Sequence, residues 1–279
     1  MVTAWEWLAK AAQALREAGI EDYKTDSSLF LCCVLGVQPG QLRFLAGRPL
    51  TDAETGRLDG MLSRRLDGEP EQYIEGEAWF MGHPFGIDAR ALIPRQDTET
   101  LCEWAINELE RFERPKVLDL CCGSGCIGIS LKLACPQADV TLSDISPDAV
   151  RLTEENARKL GADVTAVCAD GFAGVAGRRF GLIVCNPPYL SARDMDDLQR
   201  EVKREPALAL YGGADGLEFY RRFIGGMPPY LAEGGAAAFE VGMGQAETVE
   251  KLLRARFPGA DTGSINDLNG IPRVVYVRT

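Results

Sequence analysis

The chain has 279 residues, a formal net charge of −11 and 46% hydrophobic residues. This length and composition are typical of one large globular domain, or of a large domain joined to a small one. The acidic charge argues against a protein that works along the nucleic-acid backbone, which normally presents a basic surface. No apolar run is long enough to predict a membrane-spanning helix.

Cysteine usage and the first residues predict a cytoplasmic protein. There are nine cysteines, an odd number, and several lie within apolar segments. This pattern favours a reducing compartment over a disulfide framework. The stretch MVTAWEWLAKAAQALREAG also lacks the basic start, apolar block and cleavage site of a signal peptide.

Residues 1–72 predict a small helical domain. Asp26 can cap its second helix, which should end at Gly36. We see no catalytic group of residues here and expect this domain to recognise the substrate. The first helix has a predicted apolar face at spacings of three and four, formed by Trp5, Leu8, Ala12 and Leu15.

The next segment, residues 73–93, predicts a β-hairpin that links two domains. It contains the strand-like stretch YIEGEAWFMGHPFGID, which is broken by glycine and proline. A helix should follow, with Asp97 or Thr98 as its N-terminal cap.

Residues 94–279 predict an α/β domain. Six strand-like segments alternate with helical ones, a pattern typical of a doubly wound, mostly parallel sheet with a Rossmann-like fold. The six segments are VLDLCC, VTLSDIS, VTAVCAD, FGLIVC, GGAAAFEVG and PRVVYVR.

The turn after the first of these strands carries a nucleotide-binding signature. Gly123, Gly125 and Gly128 satisfy the pattern G-x-G-x-x-G, and Asp144 follows at the distance of a ribose-binding acid. The pattern alone is compatible with NAD, or with a glycine turn that only packs a helix onto a strand.

Acidic residues at the strand ends favour S-adenosylmethionine. A carboxylate at Asp119 would face a cation, and this cofactor carries an amino group and a sulfonium. Asp144 can hold the ribose hydroxyls, Asp170 can approach the adenine amine, and Phe172 can pack on the ring. With Asn186, these acids end four consecutive parallel strands, where doubly wound sheets bind ligands.

The loop NPPYL follows the fourth strand. Proline cannot donate to a sheet ladder, so the strand must stop and a stiff loop must follow. We interpret this loop, which begins at Asn186, as a grip on a planar nitrogen that is to be methylated.

Several motifs together resemble the bacterial release factor glutamine N5-methyltransferases. The motifs are LIPRQDTE, DLCCGSGCIGISL, SDIS, NPPYL, EPALALYGGADGLEFY and DLNGIPR. They span the chain from about residue 73 to its end, and the layout of the whole chain is similar. The family consists of class I S-adenosylmethionine-dependent methyltransferases with a small helical N-terminal domain and a seven-stranded sheet.

The resemblance implies methylation of the glutamine in the Gly-Gly-Gln motif of peptide chain release factors. The Asn186 oxygen and the Pro187 carbonyl would accept hydrogen bonds from the glutamine amide, and Tyr189 would pack on it. Pro188 would stiffen the loop, and Arg95 would shape the pocket. The implied cofactor-binding residues are Asp119, Cys121, Cys122, Gly123, Ser124, Gly125, Asp144, Asp170, Gly171, Phe172 and Asn186.

Three positions depart from the family pattern. Cys121 replaces the first glycine of the cofactor loop, so that loop must tolerate a side chain. Gln96 replaces a stiffening proline. Gly171 stands where the family often has an aromatic residue beside the adenine, so the packing on adenine would pass to Phe172 or elsewhere.

Other activities remain open at this point. A glutamine of a ribosomal protein is an alternative substrate, and adenine N6 or guanine N2 methyltransferases of nucleic acids share the NPPY loop. An NAD-dependent oxidoreductase leaves NPPY unexplained. We expect a monomer that acts on release factors, without direct nucleic-acid binding, membrane association or a metal.

Overall fold

The computed structural model describes residues 2–279, which form two compact units. One unit comprises the chain up to Gly76 together with Arg200–Arg204, and the other comprises Glu77–Gln199 and Glu205–Thr279. None of the helices in the described part of the chain is long and apolar enough to cross a membrane.

The first unit is helical. Threonine capping boxes open two of its helices, because Thr3 and Thr51 accept a backbone N–H and their own backbones bond to Glu6 and Glu54. The unit contains the helices α1 (Ala4–Glu17), α2 (Tyr23–Leu35), α3 (Asp52–Leu66) and α4 (Glu71–Glu75), and the 3-10 helices Pro39–Phe44 and Val202–Arg204.

The buried face of α1 differs from the predicted one. Trp7 is 2% exposed, whereas Trp5 is 61% exposed. The two tryptophans are two residues apart and therefore lie on different faces of the helix, and the surrounding alanines fit either face. Trp7 rather than Trp5 is the buried tryptophan because its indole nitrogen donates to Asp59 of α3 at 2.9 Å.

Asp26 does not cap α2, which begins at Tyr23 with Asp22 at the cap position. Asp26 lies in the first turn of α2, where its carboxylate is buried and pairs with Arg65 of α3 at 2.7 Å. Burial raises the pKa of Asp26, and the hydrogen bond from Arg65 opposes that rise. The predicted end of the helix is confirmed, since Gly36 adopts the left-handed conformation there.

The second unit begins with the predicted hairpin and continues as an α/β domain. Its first long helix begins at Gln96, and Arg95 occupies the cap position without a side-chain cap, so the predicted cap at Asp97 or Thr98 is wrong. Both of those residues lie in the first turn. The remaining helices are α5 (Gln96–Leu109), α6 (Cys126–Ala134), α7 (Pro147–Leu160), α8 (Ala192–Asp196), α9 (Ala207–Leu210), α10 (Glu218–Gly226) and α11 (Ala246–Arg256), with a 3-10 helix at Gly171–Val175.

The strands form the hairpin and one seven-stranded sheet, as expected for this fold. The sheet order is β5-β4-β3-β6-β7-β9-β8, parallel except for the antiparallel pairs made by β9 with β7 and β8. The strands are β1 (Glu77–Phe80), β2 (His83–Gly86), β3 (Lys116–Leu120), β4 (Asp139–Asp144), β5 (Thr165–Cys168), β6 (Phe180–Cys185), β7 (Leu231–Glu240), β8 (Asp261–Asn266) and β9 (Pro272–Arg278). The sequence DTGSIN of β8 was missed because it is a polar edge strand.

The centre of the sheet positions the site. Strands β3 and β6 are adjacent and parallel, and their side chains Val117, Leu118, Leu182 and Ile183 are fully buried. The strand order reverses between β3 and β6, so helices leave the sheet on opposite sides and open a crevice at the carboxyl ends.

Candidate active site

A cleft opens at the carboxyl ends of β3, β4 and β6. It contains about 1110 Å³ of space, counting the part that is open to solvent, which is ample for a nucleoside-sized ligand. The predicted site residues on its wall are Arg95, Cys121, Cys122, Gly123, Ser124, Asp144, Asp170, Gly171, Asn186 and Pro188.

The glycine-rich loop after β3 forms the floor of the cleft. Cys121, Gly123 and Gly125 all have positive φ, at 58°, 56° and 80°. Cys121 is therefore a side-chain-bearing residue in a conformation that favours glycine. The loop does carry a side chain at position 121, as predicted, but at the cost of a strained backbone conformation there.

Asp144 ends β4 and lines the cleft. Its Oδ2 accepts from the Gly123 backbone N–H at 2.9 Å, and its Oδ1 accepts from the Ser146 N–H at 2.9 Å. Burial raises the pKa of Asp144, while these backbone hydrogen bonds lower it. The carboxylate thus fixes the glycine-rich loop and presents an acceptor for ligand hydroxyl groups.

Asp119 lies behind the cleft wall and is not among the residues that line the cleft. Its side chain is completely buried, and Oδ2 accepts from the Gly128 backbone N–H in α6 at 2.8 Å. Burial raises the pKa of Asp119 to about 7, against the lowering effect of that bond. Asp119 therefore ties β3 to α6 through Oδ2, and its Oδ1 makes no hydrogen bond within the described residues.

The side of the cleft formed after β5 is built differently from the prediction. Asp170 lines the cleft, but its carboxylate pairs with Arg222 of α10 at 2.7 and 3.1 Å. Phe172 is not on the cleft wall and stacks on Tyr230, with ring centroids 4.5 Å apart. The cleft wall instead contains Phe223.

Gly171 explains why Phe223 can reach the cleft. A Cβ at this position would lie 3.1 Å from the Phe223 ring, and the φ of Gly171 is +57°. The absent side chain thus leaves room for an aromatic ring that comes from α10, far away in sequence.

The NPPYL loop places one amide on the cleft. Asn186 and Pro188 line the cleft, and the Asn186 Nδ2 donates to Thr98 Oγ1 at 3.3 Å. Pro187 and Tyr189 do not line it. The Tyr189 ring is turned toward β7, where its hydroxyl donates to Glu240 Oε1 at 3.3 Å.

Arg95 links two walls of the cleft. Its guanidinium pairs with the buried carboxylate of Glu205, which also accepts the Ile93 backbone N–H at 3.0 Å. The LIPR segment and the EPALAL segment are thereby held together. This placement explains why both motifs stood out in the sequence.

The sequence analysis did not predict several residues of the site. Glu205 and Thr98 lie within quoted motifs, so a signal was present, but their contacts depend on the fold. Glu240 and Phe223 had no signal, because a glutamate ending an apolar strand and a phenylalanine in an amphipathic helix are common.

Comparison with known proteins identifies the family. The chain matches the family model "Methyltransferase small domain" over residues 99–210 and "PrmC N-terminal domain" over residues 6–76. It is 39% identical to a release factor glutamine methyltransferase of Geobacter sulfurreducens, over 94% of this chain and 91% of that protein. The chain belongs to the release factor glutamine methyltransferase family. Proteins of the same name match from Deinococcus radiodurans, at 39% identity over 97% and 96% of the two chains, and from Bacillus cereus, at 34% over 98% of both.

Solved structures support the fold of this family member. The hMettl16 catalytic domain, solved with the MAT2A 3'UTR hairpin 6, matches with a TM-score of 0.56 and 14% identity over 82% of each chain. A methyltransferase from Pyrococcus furiosus matches with a TM-score of 0.52 and 13% identity, over 82% of this chain and 98% of that one. At these identities the likeness extends to the fold alone.

The chain is therefore an S-adenosylmethionine-dependent methyltransferase, and the cleft fits that cofactor. Asp144 offers a carboxylate for ribose hydroxyls, and Phe223 and Ile145 offer apolar surface for a planar base. The glycine-rich loop lets backbone approach the ligand closely.

Proposed function

We propose that this enzyme transfers one methyl group from S-adenosylmethionine to the side-chain amide nitrogen of the glutamine in the Gly-Gly-Gln motif of peptide chain release factors. The names of its relatives support the substrate. The observation that carries the proposal is the position of Asn186. Its amide lies on the same cleft as Asp144 and the glycine-rich loop.

The substrate nitrogen needs help from hydrogen-bond acceptors. An amide lone pair is delocalised into the carbonyl, so the nitrogen is a poor nucleophile. When bound, the cofactor supplies an electrophilic methyl group. The Asn186 Oδ1 on the cleft wall accepts a hydrogen bond from one N–H of the substrate amide, which orients the nitrogen and stabilises the positive charge that develops on it. The family resemblance assigns the second N–H to the Pro187 carbonyl, although Pro187 does not line the cleft in this structure.

The rest of the NPPYL loop keeps those acceptors in place. Pro187 and Pro188 restrict the loop before substrate binds, so less conformational entropy is lost on binding. We assign Tyr189 a supporting role: its hydroxyl bonds to Glu240 and its backbone carbonyl accepts from Gln245 at 2.9 Å, which anchor the loop from behind. Arg95, fixed by Glu205, shapes the wall beside the glutamine.

The cofactor contacts follow from the same geometry. Asp144 accepts the ribose hydroxyls, the loop from Cys121 to Gly125 lies along the ligand, and Gly171 with Phe223 encloses the base. Asp119 and Phe172 act from behind the wall, by holding α6 and by packing on Tyr230.

We further propose that the N-terminal helical unit recognises the body of the release factor. The net charge of −11 favours a protein substrate over nucleic acid. We propose a cytoplasmic monomer, in keeping with nine cysteines of which none forms a disulfide in the described part of the chain.

The test uses the purified enzyme, S-adenosylmethionine and unmethylated release factor, followed by mass analysis of the Gly-Gly-Gln peptide. We expect a gain of one methyl group on the glutamine. Asn186→Ala should lower the rate by roughly a hundredfold, the loss typical of removing one stabilising partner of a transition state. Asn269→Ala, an exposed amide in the β8–β9 turn, is the matched control and should keep the wild-type rate.

A wild-type enzyme that binds the cofactor but leaves the release factor unmodified contradicts the proposal. The same assay on ribosomal proteins, and then on nucleic-acid bases, would identify which alternative substrate applies.

A further inference from the structure

One face of α7 supports the glycine-rich loop from behind. Thr153 and Asn156 lie one turn apart on this helix and are 0% and 1% exposed. A Cβ on Gly125 would lie 2.9 Å from Thr153 Cγ2 and 3.1 Å from its Oγ1, so the loop backbone is pressed against this face. Gly123 and Ser124 line the cleft, whereas Thr153 and Asn156 do not. The loop therefore lies between these two buried side chains and the cleft.

The two side chains hold two consecutive carbonyl groups of the loop. Thr153 Oγ1 donates to the Gly123 carbonyl at 3.0 Å, and Asn156 Nδ2 donates to the Ser124 carbonyl at 2.9 Å. The same Nδ2 donates to the Gly86 carbonyl of β2 at 3.0 Å, and Asn156 Oδ1 accepts from the Gly86 N–H at 2.7 Å. A flipped Asn156 amide would lose all three of its bonds, so its orientation is fixed.

These bonds determine which backbone group of the loop faces the cleft. The peptide bonds of the described chain are all trans, and in a trans peptide the C=O and the next N–H point in opposite directions. The Gly123 carbonyl points to Thr153, so the Ser124 N–H of the same peptide points away from α7 and toward the cleft. No hydrogen bond within the described residues uses this N–H. The cleft wall therefore offers a hydrogen-bond donor at Ser124.

The strand order indicates which part of S-adenosylmethionine lies at this donor. Along the edge of the sheet, Gly171 follows β5, Asp144 ends β4, the glycine-rich loop follows β3 and Asn186 follows β6. With the base beside Gly171 and the ribose at Asp144, as proposed above, the amino-acid part of the cofactor extends over the loop toward Asn186. The carboxylate of that part is the only anion of the cofactor, and a backbone N–H forms a strong, charge-assisted hydrogen bond with a carboxylate.

We propose that Thr153 and Asn156 are positioning residues for the cofactor: they bind the Gly123 and Ser124 carbonyls and thereby turn the Ser124 N–H toward the carboxylate of S-adenosylmethionine. A carbonyl turned to the cleft in its place would repel that carboxylate. Both residues act through the loop and do not touch the ligand themselves. This role does not depend on which substrate receives the methyl group.

The test compares two ligands that differ in the carboxylate, S-adenosylmethionine and its decarboxylated form. Titration calorimetry gives Kd of each ligand for the wild type, Thr153→Val and Thr153→Ser. Valine keeps the shape of threonine but releases the Gly123 carbonyl, so Kd for S-adenosylmethionine should rise about tenfold. Kd for the decarboxylated form should stay within about twofold of the wild-type value, because that ligand lacks the group that the N–H binds. Serine keeps the hydroxyl and should restore most of the affinity.

Two further variants complete the experiment. Thr55→Val is the matched control, because the Thr55 hydroxyl bonds to the Thr51 carbonyl of its own helix at 3.0 Å, away from the glycine-rich loop. It should leave both dissociation constants unchanged. Asn156→Leu removes the donor to the Ser124 carbonyl at a similar side-chain volume. It should also weaken S-adenosylmethionine more than the decarboxylated form, and it replaces Thr153→Val if that variant does not fold.

Binding of the two ligands separates a positioning role from a purely structural one. If Thr153→Val weakens both ligands equally, the hydroxyl only stabilises the fold and the positioning role is overturned. The same holds if neither constant changes, or if the wild type binds the two ligands equally well. Because no release factor enters the measurement, its outcome is independent of the methylation assay that tests the proposed function.

Discussion

The glycine-rich loop after β3 and the NPPYL loop after β6 leave neighbouring strands at the same edge of the sheet, but they are held by different means. The glycine-rich loop is held by its backbone, because the Gly123 N–H bonds to Asp144 and the Cys122 N–H bonds to the Ser143 carbonyl of β4. The NPPYL loop is held by side chains from elsewhere, namely Thr98, Glu240 and Gln245.

This difference determines which amino-acid substitutions each loop tolerates. Backbone hydrogen bonds do not depend on the side chain of the loop residue that makes them, so the loop can carry Cys121 where the family pattern has glycine. The NPPYL loop depends on the identity of a few side chains outside it. A substitution of one of those side chains should lower the rate of methyl transfer more than it weakens cofactor binding.

The largest expected effect comes from Asp119, the buried carboxylate of β3 that ties this strand to α6 behind the glycine-rich loop. Its folded-state pKa of about 7 is above the ordinary value of 3.8, so the folded state binds the proton more tightly than the unfolded state. Stability contributed by that proton is present at low pH and is lost as pH rises to about 7. Asp119→Asn cannot ionise and should gain up to about 4 kcal/mol relative to wild type over this range.

Urea unfolding at several pH values measures this gain. Asp163→Asn, at an exposed position, controls for the substitution itself. A difference between Asp119→Asn and wild type that stays constant with pH would show that the carboxyl does not titrate in this window.

Gln245→Ala tests the side-chain-held loop. Gln245 Nε2 donates to the Tyr189 carbonyl at 2.9 Å and Oε1 accepts from the Gly242 N–H at 3.0 Å. Losing these bonds should lower kcat/KM for release factor about tenfold, equivalent to about 1.4 kcal/mol, while Kd for the cofactor changes less than twofold.

Gln13→Ala is the control, because the Gln13 amide is exposed and bonds to Glu17 on the surface of α1. If Gln245→Ala weakens cofactor binding as much as catalysis, the two loops are not held independently and the comparison breaks down.

The smallest effect concerns Cys121. Its φ of 58° penalises any residue with a Cβ, so Cys121→Gly should be more stable than Cys121→Ala by about 1 kcal/mol. Cys33, exposed in α2, gives the opposite order, with glycine less stable than alanine by about 1 kcal/mol. Denaturant unfolding of the four variants decides the point, and equal stabilities at position 121 would mean that the loop relaxes without strain.

Sequence patterns predicted the architecture well where burial is continuous. The strand β6, FGLIVC, is an apolar run because both of its faces are covered, and β3 is apolar except for Lys116 at its start and the buried Asp119. The strand β8 could not be predicted in this way, since its side chains are polar and half exposed.

The site was predictable only as far as chain position determines it. Asp144 and Asn186 end parallel strands, and strand ends share one edge, so their meeting follows from the sequence. The direction of the Asp119 side chain depends on where α6 packs. The ring beside Gly171 comes from α10, some 50 residues away, and only the folded chain brings it there.

The segment Arg200–Arg204 has a consequence for protein engineering. It belongs to the first unit, where Glu201 meets Arg65 at 3.4 Å and Arg204 meets Asp67 at 2.8 Å. The polypeptide therefore passes between the units three times, after Gly76, Gln199 and Arg204. Truncation at Gly76 separates neither unit cleanly: the N-terminal piece lacks Glu201, and the C-terminal piece keeps the whole second unit together with a segment whose partners Arg65 and Asp67 are gone. A clean excision of the methyltransferase unit also has to replace Arg200–Arg204 with a neutral linker.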